Sequence, residues 1–142
     1  MGLFKLTKEL FVLSQPKHKD VKVRDDGAPR QLSMNNQIKD INIYTIKNSK
    51  QKIDTLVFKD RFNYDVGFRI INAQGFNSFG LKEEVDLIFC NRHHQVIDTY
   101  TKFKINKFTQ FHEKAVEVFV LAKNMIKYLN ISINDQLKLA KY

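Results

Sequence analysis

The chain has 142 residues, 43% of them hydrophobic, with 24 Lys and Arg against 15 Asp and Glu for a net charge of +9. That length makes one domain able to bury roughly two thirds of its unfolded surface without staples, and the single cysteine, Cys90, excludes an intramolecular disulfide and fits a reducing compartment. The opening MGLFKLTKELFVLSQPKHK is interrupted by Lys5, Lys8 and Glu9, which argues against a secretory apolar region or a membrane span and makes a cytoplasmic protein the expectation.

Leu3, Leu6, Leu10 and Leu13 recur at spacings of three and four, with Phe4 and Phe11 at the margins, and predict an amphipathic helix over 3–13. Leu6 stands where N-myristoylation requires a hydroxyl residue, so the initial Met-Gly carries no such signal. Pro16 ends the helical pattern. Residues 17–37 are polar, with turn signals in DDGAPR and SMNNQ, and are expected to form a loop or linker.

From residue 38 the period becomes two. Ile41, Ile43 and Ile46 predict a strand near 38–46, and DTLVF, VGFRIIN, VDLIF, QVIDTY, AVEVFVL and QLKLA follow as short β-rich runs between turns. Within AKNMIKYLNI, the residues Met125, Ile126, Leu129 and Ile131 suit a short helix near 123–130. The pattern predicts a mainly β (α+β) fold, a compact antiparallel β-barrel or jelly-roll-like sandwich with that one short helix. Residues 1–52 then form an N-terminal appendage and 53–142 the β domain.

The stretch FNSFGLKEEVDLIFCNRHHQV, followed by AVEVFVLAKNMIKYLNISINDQLKL, resembles the small bacterial and archaeal family DUF192 over about residues 53–139. Members carry a segment like IHTFGMRFPIDVVFLDRDGRVV, then a strand ending in LELPAG before a short helix. Phe79 and Gly80 match, Leu81 stands for the Met, Lys82 for the basic residue, and Val85, Asp86 and Phe89 for I-D-x-x-F. Asn77 occupies the His position, Gln74 and Gly75 replace the usual Asn and Ser, Asn91 replaces an Asp, and Asn134 replaces the Gly of the closing GD. The resemblance implies a compact β-barrel or jelly-roll-like domain with a short helix. It implies no activity, because the family's biochemical role is unassigned.

Asp86 sits one residue inside an apolar strand. A buried carboxylate there costs several kcal/mol unless it is hydrogen-bonded or matched to a cation. Lys82 and the backbone amides of the turn Asn77, Ser78, Phe79 and Gly80 are the candidate partners, and Asp86 is expected to pin the turn rather than act as a catalytic acid. Glu83 and Glu84 read as a solvated turn, so no second carboxylate supports general acid/base work. Ser78 lacks the small-residue elbow of an esterase nucleophile, and GAPR and GFNSFG lack the lysine and spacing of a phosphate loop.

Cys90 with His93 or His94 offers at most two ligands where zinc needs three or four. The resemblance places CNRHHQ on a hairpin turn, so exposed turn residues, no metal and no cofactor are expected. Cys90 has no identifiable base to make it a nucleophile.

The charge is uneven: residues 1–52 carry 11 Lys and Arg against 5 acids, a net +6, whereas residues 53–142 carry 13 against 10, a net +3. Lys17, Lys19, Lys22, Lys102, Lys104 and Lys107 are the candidate polyanion contacts. Interleaved Asp20, Asp25, Asp26 and Asp40 argue against tight binding. In KFKINKFTQF the lysines alternate with aromatic residues, as on surfaces that stack bases, although Phe103, Ile105 and Phe108 are expected to pack over the end of the barrel.

These features point to a non-enzymatic binding or interaction module with a protein partner and no membrane contact. The alternative is weak RNA or single-stranded DNA binding through the basic N-terminal half and segment 102–108. A third reading is a hydrolase- or lyase-like pocket built on Asp86.

Overall fold

A computed structural model describes residues 28–47 and 63–141. Its first element is a hairpin of β1 (Arg30–Met34) and β2 (Gln37–Ile46), closed by Asn35 and Asn36 at φ 49° and 69°. A two-residue hairpin with both residues left-handed matches the twist of its strands, and Asn tolerates that backbone better than most residues. The loop expected over 17–37 therefore becomes a strand from residue 30. Leu32 and Met34 are buried while Gln31 is exposed, a period of two too short to stand out among polar neighbours.

The remaining strands are β3 (Val66–Ile71), β4 (Val85–Cys90), β5 (Val96–Phe103), β6 (Glu117–Ala122) and β7 (Leu137–Leu139), with helix α1 (Met125–Leu129) between the last two. They form one seven-stranded mixed sheet in the order β5-β4-β6-β3-β2-β1-β7. The fold is thus mainly β, as the sequence predicts, but neither a closed barrel nor an all-antiparallel sandwich. β2 and β3 run parallel, with Asn42 opposite Val66 and Ile46 opposite Ile70. Parallel neighbours require a crossover of a dozen or more residues, and the chain between Ile46 and Val66 supplies that length.

Among the described residues, the sheet's two edges meet at one corner. Gln95 bridges Gln136, Val96 N donates to Asp135 O, and Leu137 N donates to His94 O. The strand expected near 38–46 lies inside this sheet, flanked by β1 and β3. The helix expected near 123–130 is α1. The helix expected over 3–13 and the strand expected at DTLVF fall outside the described residues.

β4 and β6 are adjacent interior strands, and all six residues of each are buried. Such strands read as nearly continuous apolar runs because both of their faces are covered, with Asp86 and Glu117 as the exceptions here. The side bearing Leu87 and Phe89 meets the rings of Tyr100 and His112, while Asp86 on the opposite side reaches α1. On β3, Gly67 lies between Ile43 and Leu121. A Cβ built there would collide with the side chain of Leu121 and come within 2.9 Å of Ile43 Cδ1. Gly67→Ala is accordingly expected to cost about 1–3 kcal/mol by overpacking, read as a lowered denaturation midpoint at unchanged m-value.

Candidate functional site

Asp86 is fully buried, and each of its carboxylate oxygens accepts a backbone N–H. Oδ1 takes Lys102 N at 2.9 Å and Oδ2 takes Ile126 N at 2.8 Å. Lys102 belongs to a bulge in β5 and has φ 49°. Ile126 is the second residue of α1, whose N-cap, Asn124, offers no side-chain bond. One carboxylate thus fixes the β5 bulge and satisfies an orphan donor at the start of the helix. The expected partners were wrong in detail, since neither Lys82, which is exposed, nor the amides of the Asn77–Gly80 turn bind Asp86. A local reading cannot find donors that lie 16 and 40 residues further along the chain.

The turn itself is organised by Ser78. Its buried hydroxyl donates to Lys104 O at 2.6 Å and accepts Lys107 N at 3.0 Å, while its own N–H donates to Lys107 O. Asn77 bridges Phe108, and Asn77 Oδ1 accepts Phe79 N at 3.3 Å. Further along, Thr109 N donates to Phe76 O and His112 N donates to Gln74 O. Segments 74–78 and 107–112 therefore form an irregular ribbon beyond the ends of the strands.

The ribbon walls a cleft of about 540 Å³, bounded by residues 70–77 and 108–111 with Lys47 at its edge. Phe108 and Phe111 rise from the rim at 72% and 70% exposure. The expectation that Ile105 and Phe108 pack over the end of the fold is overturned, for Ile105 too is exposed, and only Phe103 joins the core. The uneven spacing of Phe103, Phe108 and Phe111 was the available signal, since neither a strand face nor a helix face repeats at five and then three.

Two further polar clusters escaped the sequence reading. Tyr100 Oη lies 2.9 Å and Asp98 Oδ2 3.4 Å from the same nitrogen, Nε2, of His112. A catalytic relay sets the carboxylate and the nucleophile on different imidazole nitrogens, so this arrangement ties the 104–112 loop to β5 instead. On β6, Glu117 is 3% exposed. Its Oε1 meets Arg69 Nη1 at 3.0 Å, and its Oε2 lies 3.6 Å from His94 Nδ1.

CNRHH forms the expected β4–β5 turn, stapled by Asn91 Oδ1, which accepts His93 N and Gln95 N. His93 is exposed, but Cys90 is the last residue of β4 and fully buried, contrary to its expected place on the exposed turn. Burial, with the Glu117 carboxylate nearby, pushes its thiol far above the ordinary cysteine range. Cys90 should resist iodoacetamide in the native protein and react only after denaturation. Stoichiometric native labelling, measured by intact mass, would contradict this.

Lys102, Lys104 and Lys107 are exposed, with Lys104 Nζ 3.5 Å from Glu84. Lys17, Lys19 and Lys22 lie outside the described residues. From the basic N-terminal half, Lys47 reaches the same cleft as Phe108. Among the described residues no group of three or more His, Cys, Asp or Glu side chains is placed to hold a metal ion, and no helix is long and apolar enough to cross a membrane.

A second hollow, of about 940 Å³, lies between β2, the Tyr64–Asp65 turn and α1, with Ile38, Tyr64 and Tyr128 exposed around it. Its polar side chains, Lys39, Asp40, Asp65 and Asn124, mix both charges. The first cleft brings aromatic rings together with several amide side chains and a lysine.

No family model matches the sequence, and no curated protein matches it. Two solved structures share the fold. One, from Sinorhizobium meliloti 1021, is described as a "putative transcription regulator"; it is 12% identical at a TM-score of 0.70, covering 80% of this chain and 95% of its own. The other, a protein of unknown function from Novosphingobium aromaticivorans DSM 12444, is 12% identical at a TM-score of 0.66, covering 78% of this chain and 83% of its own.

Proposed function

We propose that the chain is a non-enzymatic cytoplasmic binding module, a DUF192-like β domain, whose ligand seat is the cleft between residues 70–77 and 108–111. The observation that carries this reading is the exposure of Phe108 and Phe111 on the rim of a cleft of about 540 Å³. Two large apolar rings held in water at one opening are a costly arrangement for packing alone and a usual one for a contact surface. The volume falls within the roughly 300–1,000 Å³ of small-ligand sites.

The polar groups argue for binding rather than chemistry. Asp86 is closed off on both oxygens, Ser78 is occupied by the 104–107 loop, and both neighbours of His112 crowd one nitrogen. The DUF192-like reading rests on the Phe79–Gly80 and Val85–Asp86–Phe89 spacing.

The test is a set of amide nitrogen–proton spectra of the full chain titrated with indole, adenosine, cytidine and glucose at millimolar concentration. Saturable shifts concentrated at residues 72–77 and 108–111 are the expected result. Shifts confined to the hollow around Tyr64 and Tyr128, or none with any of the four compounds, would refute the assignment.

A further inference from the structure

The cleft's surroundings narrow the ligand class, an inference that rests on the reading just given. Phe111 has no ring partner among the described residues, and Phe108 meets only Phe79, nearly edge to face at 4.9 Å, while keeping 72% of its surface in water. Both rings therefore present free faces. Exposed Lys102 and Lys107 precede Phe108 and exposed Lys114 follows Phe111, while Lys47 stands at the edge of the cleft.

The nearby acids are largely engaged. Glu84 lies against Lys104, and Asp98 accepts Thr99 N and adjoins His112, which leaves Glu113 as the exposed acid of this segment. The rim also carries amide side chains, including the exposed Asn72 and Gln110, able to pair with the donor and acceptor edge of a heterocycle.

Free ring faces, flanking cations and amide groups together match a chain of planar bases joined by phosphates. Stacking on aromatic side chains tolerates any base, and lysines follow the backbone. A duplex keeps its bases stacked on one another and offers no free face to Phe108 or Phe111. We infer that the cleft binds single-stranded nucleic acid, with bases stacked on Phe108 and Phe111 and phosphates set against Lys107, which adjoins Phe108, and Lys47, which lines the cleft. The modest local excess of positive charge places the affinity in the micromolar range or weaker, with a dissociation constant of about 10⁻⁶ to 10⁻⁴ M.

The experiment is fluorescence anisotropy of labelled oligo(U) and oligo(dT) of about 12 nucleotides, and of a duplex of the same length, at two salt concentrations. Both single strands should bind saturably and at least about tenfold more tightly than the duplex. Phe108→Ala and Phe111→Ala should each weaken single-strand binding by about 5–100-fold with the salt slope unchanged, since a stacked base contributes roughly 1–3 kcal/mol. Lys107→Gln should instead reduce the slope by about 0.7. Both phenylalanines are exposed, so unchanged melting midpoints establish that these variants fold.

Equal binding of duplex and single strand, or phenylalanine variants that bind like wild type, would overturn stacking in favour of a plain charged surface. Absence of single-strand binding up to about 1 mM, beyond the weak end of non-specific affinity, overturns the nucleic-acid assignment. If adenosine or indole still shifts residues 72–77 and 108–111, the cleft remains a binding site for another class, such as a peptide.

Discussion

Asp86→Asn is expected to destabilise the protein by about 3 kcal/mol, and Asp86→Ala by at least as much. The carboxylate accepts two backbone N–H groups, from Lys102 and Ile126, on two different elements. Bonds from backbone donors to a charged acceptor contribute roughly 1.5–3 kcal/mol each, and a buried donor left unpaired costs about 1–3 kcal/mol. Asn keeps one acceptor but turns an NH₂ group toward the second donor, so one N–H is stranded whichever way the amide faces. Chemical denaturation with the midpoint and slope recorded decides the matter. A midpoint within experimental error of wild type would show that the two bonds are dispensable. Amide exchange adds a local readout, because the Lys102 and Ile126 amides should both lose protection in Asp86→Ala and one of the two in Asp86→Asn.

Arg69→Met should cost a comparable amount, about 3 kcal/mol, for a different reason. Glu117 is nearly buried, and the Arg69 guanidinium, which also lies 3.4 Å from Thr45 Oγ1 through Nε, is the cation bonded to its carboxylate. Removing one member of a buried pair strands the other charge, a loss of about 3–5 kcal/mol in such pairs, whereas replacing both by apolar residues of similar size is often neutral. Arg69 retains 24% side-chain exposure, which places the effect at the lower end. The double variant Arg69→Met with Glu117→Leu should therefore recover most of the lost stability. Two losses that simply add would show that the residues act independently, contrary to their 3.0 Å contact.

Where the physics is local, the sequence was informative. VDLIFC and EVFVLA are apolar apart from Asp86 and Glu117 and became two adjacent interior strands, and Met125 and Ile126 marked the buried side of α1. The turn at Asn91–His94 was legible because Asn, Arg and His interrupt two apolar runs. What escaped depends on partners distant along the chain. Nothing near β2 announces that its neighbour on the far side is parallel, and RQLSM hides two buried residues among three polar ones. Glu117 reads as an ordinary surface acid until the sheet brings Arg69 alongside it.

The candidate site was legible only by composition. KFKINKFTQF suggested aromatic and basic residues side by side, yet whether those rings face core or water is decided by the 74–78 segment, which pairs with 107–112 and turns Phe108 outward.

β5 is the last strand on its side of the sheet, and an unguarded edge of that kind invites a second copy to continue the ladder. Here the strand is bent by two irregularities in its pairing with β4, and the Thr99 N–H is already taken by the Asp98 carboxylate. One of those bends is the bulge that Asp86 holds in place through Lys102. The same buried acid that anchors the helix therefore also keeps this edge too crooked to recruit another strand. Variants at Asp86 should be not only less stable but also quicker to self-associate at concentrations where the parent chain stays monodisperse.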